Sequence, residues 1–141
     1  MAIDLDTARS ILAVARSHAA AHDLAPIAVV VLDAGGSLLA AEREDGSSSK
    51  RYEIAHAKAH GAVSLGMGSR ALMARAEQQP YFVVTAAAAI GGSLIPVPGG
   101  VLVQDSTGTT VGAVGVSGDS SDNDEAAAIA GIVYSGLSFS P

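Results

Sequence analysis

The chain has 141 residues, 49% of them apolar and 16% charged, a balance that excludes a disordered polypeptide and suits one globular domain. Cysteine is absent, which excludes disulfides, thiolate metal sites, iron–sulfur clusters and cysteine nucleophiles. The net charge of −6 falls wholly in residues 76–141, with six acids and no base, against eight of each in residues 1–75, and no basic patch suits nucleic acid.

Residues 4–22 read as a helix that Asp4 or Asp6 could cap. At 100° per residue, Leu5, Ala8, Ile11, Leu12, Ala15 and Ala19 fall on one stripe. Ile27 to Leu32 is an unbroken apolar run, as expected of a strand buried on both faces. Asp33-Ala-Gly-Gly36 turns the chain into a second strand, Ser37 to Arg43. The polar segment 46–51 leads into a second helix, which Gly66 and Gly68 stop after Leu65. A third helix is predicted over Ser69 to Gln78. Tyr81 to Val84 reads as a strand or the entry to one, and residues 85–100 as a loop holding a short strand. Val101 to Asp105 and Thr110 to Ser117 form a second hairpin. An acidic turn follows, and Asp122 or Asp124 caps a last helix, about Glu125 to Leu137. This order predicts an α+β domain, an antiparallel sheet of about five strands flanked by helices. No segment has 18 consecutive apolar residues, and the first ten carry acids where a signal peptide has bases. The expected protein is soluble and cytoplasmic, with no membrane partner.

Candidate chemistry concentrates in a few residues. His18 and His22 are one helical turn apart, as are His56 and His60. Either pair could give a metal two nitrogens or a haem one axial ligand. With no third ligand in pattern, a metal site is not expected. His22 falls near the centre of the first helix's apolar stripe and reads as a core histidine or a ligand. His56 and His60 fall on the polar side of the second helix and read as a solvated face. Lys58 projects from the apolar stripe of that helix, one face with Arg51, and must pair, snorkel or lose its proton. It reads as an anion holder, a base or a Schiff-base lysine, or else as half of a salt bridge between subunits. Arg43, Glu44 and Asp45 stand at a strand end, where sites are often built. Gly99-Gly100 could form a backbone nest for an anion.

Val31-Leu-Asp-Ala-Gly-Gly-Ser-Leu-Leu39, Arg43-Glu-Asp-Gly46, Ala55-His-Ala-Lys-Ala59, Pro98-Gly-Gly-Val101 and Val111-Gly-Ala-Val-Gly-Val-Ser-Gly118, followed by Asp122 to Ala126, occur in an order that resembles the GlcG/HbpS family. The resemblance spans nearly the whole chain and implies a profilin-like α+β fold and homo-oligomers built from dimers. It also implies haem or another tetrapyrrole as ligand, since some relatives bind or degrade haem. The shared positions are Arg43, Asp45, Gly46, Lys58, Gly99, Gly100, Ser117 and Gly118. Two departures stand beside them: Ser47 where the family usually has Ala, and His60 where it usually has Thr. The first reading is therefore a small-ligand binding protein, with haem ligated by His18 or His22 and Gly99 and Gly100 lining the site. The alternative is an enzyme of isomerase, hydratase or decarboxylase type, in which Arg43 holds a carboxylate and Lys58 or Asp45 moves a proton. A third is an accessory oligomer without a ligand.

Overall fold

The computed structural model describes residues 2–141. Its elements in chain order are α1 (Leu5–Ala21), β1 (Ala28–Asp33), β2 (Leu38–Arg43), α2 (Arg51–Leu65), α3 (Ser69–Gln78), α4 (Pro80–Ala89), β3 (Gly100–Gln104), β4 (Thr110–Ser117), α5 (Ser121–Tyr134) and β5 (Ser138–Ser140). The strands form one antiparallel sheet in the order β2-β1-β4-β3-β5.

Strand alternation explains the two layers of packing. Val29, Val31, Val101, Val103, Val114 and Val116 point to one face, under α1 and α5. Ala28, Val30, Leu32, Leu102 and Ala113 point to the other, under Ala55, Ala59 and Ala62 of α2. β1 and β4 are therefore apolar on both faces, as a central strand must be. α1 begins where Asp4 accepts from the Thr7 amide at 2.7 Å, and α2 ends on Gly66 in the left-handed conformation (φ 72°).

Three expectations need correction. Residues 80–89 are helical rather than strand and loop. Pro80 occupies the first turn, where its missing N–H costs nothing, and alanines 86–89 carry the helix on. α5 starts earlier than expected, because Ser120 is its cap, accepting from the Asn123 amide at 3.2 Å, and it ends at Tyr134. The fifth strand is Ser138–Ser140, which joins the sheet beside β3. Among the described residues no helix is long and apolar enough to cross a membrane.

Candidate functional site

α2 lies unusually close to the sheet, and small residues on both sides allow it. A Cβ on Gly115 would sit 2.0 Å from the Ala55 carbonyl oxygen, and one on Gly100 would sit 2.3 Å from that of Lys58. The helix backbone therefore rests directly on β3 and β4. This contact drives Lys58 into the seam between α2, β4 and α5, where it is 2% exposed.

The Lys58 ammonium donates to the Val116 carbonyl at 3.0 Å and to Asp124 Oδ2 at 3.2 Å. Asp124, 1% exposed, also accepts from the amides of Asp119 (2.9 Å) and Gly118 (3.3 Å). Three donors and no acceptor surround that carboxyl, which suits its ionised form. Burial pushes the Lys58 ammonium down and the Asp124 carboxyl up, and their mutual attraction opposes both shifts. Arg51 nearby lowers Lys58 further. Gly99 closes the seam at φ 127°, with space for a Cβ already taken by the lysine Nζ at 2.8 Å. The amide of Gly100 donates to Ser69 Oγ at 2.7 Å, so it is committed within the chain. Lys58, Gly99, Gly100, Ser117 and Gly118, scattered through the sequence, thus meet at one place. The lysine's partner lies within its own chain. The sequence marks Asp124 as a candidate helix cap and carries no local sign of its role as counter-ion.

Arg43 and Asp45 are brought to the same end of the sheet but not to Lys58. Both are exposed, and among the described residues no hydrogen bond or ion pair joins either to the lysine. Arg43 Nη1 donates instead to the Ser47 carbonyl at 2.9 Å. Arg51, half-buried, donates to Ser117 Oγ at 3.0 Å and to Ser48 Oγ at 3.1 Å. Ser47 Oγ is buried and, among the described residues, has no hydrogen-bond partner. A buried hydroxyl without a partner costs about 1–3 kcal/mol. Ser47→Ala is therefore expected to stabilise the fold by about 1 kcal/mol, a rise of roughly 3–5 °C in the thermal midpoint. A lower midpoint for Ser47→Ala would show that the hydroxyl has an acceptor.

The histidines also depart from expectation. His22 is exposed rather than buried in the stripe, because α1 ends at Ala21 and the ring stands beyond the last turn. Its Nδ1 lies 2.9 Å from the His18 carbonyl oxygen. A carbonyl only accepts, so Nδ1 is the donor, and in the neutral ring the lone pair is on Nε2. The two rings stack at 4.0 Å between centroids, and burial lowers the His18 pKa, with the neighbouring His22 adding to it. His56 and His60 are half-buried rather than solvated. The segment after α4 folds over them: His56 Nδ1 meets Ser93 Oγ at 3.0 Å, and His60 Nδ1 meets the Ser93 carbonyl at 2.8 Å. Leu94 fills the space beside Gly61 on the same helix. Among the described residues no group of three or more His, Asp or Glu is placed to hold a metal ion.

A groove of about 820 Å³ runs between α1 and β2, lined by Leu5, Leu12, Ala13, Leu39 and Ala41 among others. Arg16 crosses it to Glu42 (2.9 Å) and Glu44 (3.1 Å). At 100° per residue, the groove side of α1 is opposite to the side that carries His18 and His22. Any ligand bound by that histidine pair therefore lies outside this groove.

A family model described as haem degrading protein HbpS-like matches residues 3–133. No curated protein sequence matches the chain. Among solved structures, the chain is similar to HbpS, at 28% identity and TM-score 0.82, covering 95% of this chain and 90% of that one. It is similar in fold to PduOC, solved as a haem complex, at 22% identity and TM-score 0.86 over 98% of each chain. A Klebsiella pneumoniae protein, ORFY, shares 24% identity at TM-score 0.84, over 95% and 90% of the two chains.

Proposed function

The chain belongs to the HbpS-like family of haem degrading proteins, and from that membership we propose that it binds haem, which His22 would hold with the His18 ring stacked against it. The observation that carries this reading is the state of the His22 ring. It is exposed, its Nδ1–H donates to the His18 carbonyl, and among the described residues no hydrogen bond engages its Nε2. A hydrogen bond from the other ring nitrogen is the usual way a ligating histidine is oriented and kept basic. Haem bound there would supply an iron centre. The chain's own part is to present one neutral imidazole and to hold its angle through the stacked ring at 4.0 Å. The haem complex of the structurally similar PduOC supports haem as the ligand.

The chain has few aromatics to cover a porphyrin face, 4% in all. Self-association would provide further cover. α4 packs on α3 and exposes Tyr81 and Val84, at 68% and 70%, as one apolar surface, which supports a homo-oligomer.

Titration with haemin tests the proposal. The expected result is a saturable Soret shift, with affinity reduced at least about tenfold in His22→Ala and an altered spectrum in the His18→Ala/His22→Ala double variant. A response that does not saturate, or a spectrum unchanged by the double variant, would remove this ligand assignment.

A further inference from the structure

We propose that Arg51 and Arg43 form a binding site for a small oxyanion, a carboxylate or phosphate group, where α2 begins. A guanidinium stays charged at every pH a protein meets, so one that is partly withdrawn from water calls for a counter-charge. The other basic residues of this region have theirs. Lys58 is paired with Asp124, Lys50 with Glu53, Arg16 with Glu42 and Glu44, and Arg70 with Asp122 and Glu125. Arg51 and Arg43 have no carboxylate partner among the described residues. Their hydrogen bonds run to neutral oxygens only, those of Ser117, Ser48 and the Ser47 carbonyl.

Three features bring the two guanidiniums to one place. They are anchored on consecutive residues, Ser47 and Ser48. Arg43, Ala28 and Ser117 form one row across β2, β1 and β4, so their side chains share the sheet face that α2 covers. Arg51 is the first residue of the 15-residue α2, whose N-terminus has no side-chain cap, so the helix dipole adds positive potential there. The nearest buried carboxylate, Asp124, is already occupied by Lys58 and two amides. Asp45 is the remaining acid on this loop; it is exposed and lies with Leu24 and Pro26 on the side toward α1. Two forked donors without counter-charge are suited to the two oxygens of a carboxylate or the three of a phosphate.

Calorimetric titration with malonate and with inorganic phosphate tests the proposal on the full chain. Saturable binding of at least one probe is expected, weakening as salt rises, and the probe that binds identifies the group. Arg51→Gln and Arg43→Gln are each expected to raise the apparent Kd tenfold or more, whereas Arg51→Lys retains part of the affinity through a single contact. If Arg51→Gln does not fold, the exposed Arg43→Gln carries the test alone. The proposal is overturned if neither probe saturates, the result expected if a carboxylate from a second copy of the chain covers Arg51. It is equally overturned if folded Arg51→Gln and Arg43→Gln bind as the unmodified protein does. Neither probe contains a porphyrin, so this outcome and that of the haemin titration are independent.

Discussion

Gly115→Ala is expected to destabilise the protein by about 3 kcal/mol or more, near the upper end of overpacking effects. The added methyl would stand 2.0 Å from the Ala55 carbonyl oxygen and 2.9 Å from its carbon. Both are backbone atoms of α2, so no side-chain rotamer can relieve the contact. The helix must lift from the sheet, and Ala55, Ala59 and Ala62 would then lose their packing on Val30, Leu102 and Ala113. Gly66→Ala is the control. Its φ of 72° makes alanine strained, but nothing lies within 4 Å of the new methyl. The cost there is only that of a left-handed residue, about 1–2 kcal/mol. Urea unfolding of the two variants checks the order. A loss below about 1 kcal/mol for Gly115→Ala would mean that α2 does not rest on β4 as closely as described.

Elements whose signals are local were legible in the sequence, and those that depend on distant partners were not. α1 has its cap at Asp4 and its apolar stripe in register, and α3 spans the expected residues because glycine precedes it and Gln79 and Pro80 follow. The start of α4 reads as a strand in the sequence because Tyr81, Phe82, Val83 and Val84 favour strands, and only Val83 of the helix is buried. β5 has three residues and exists because the chain end returns to pair with β3, a contact no period within Ser138–Ser140 announces. The site divides the same way. Lys58 stood out as a charge within an apolar stripe, a conflict visible locally. Its resolution lies 66 residues further on, in an aspartate that also occupies the first turn of α5. The half-buried state of His56 and His60 likewise depends on Ser93, which arrives from beyond two further helices.

The same buried pair gives the second large effect. Lys58→Met is expected to cost about 3–5 kcal/mol, because it leaves Asp124 charged and buried without its cation. Asp124→Asn, which keeps an oxygen for the Asp119 amide, leaves Lys58 as the unpaired charge and is expected to cost a comparable amount. The two together are expected to cost clearly less than the sum of the singles, by about 1–3 kcal/mol, since neither charge is then orphaned. Additive losses would mean that the residues act independently and that the 3.2 Å contact contributes nothing of its own. Replacing a buried ion pair with apolar groups is often neutral, so the pair is poorly explained as a source of stability alone. Its position gives it a second role: Asp124 holds the amides of Gly118 and Asp119, which fixes the end of β4 beside Ser117. Ser117 in turn holds Arg51. Loss of the pair should therefore loosen Arg51 as well, and the folded double variant should bind malonate or phosphate more weakly even where its stability has recovered. Unchanged affinity in that variant would separate the buried pair from the arginine site and leave it a purely structural lock between α2 and α5.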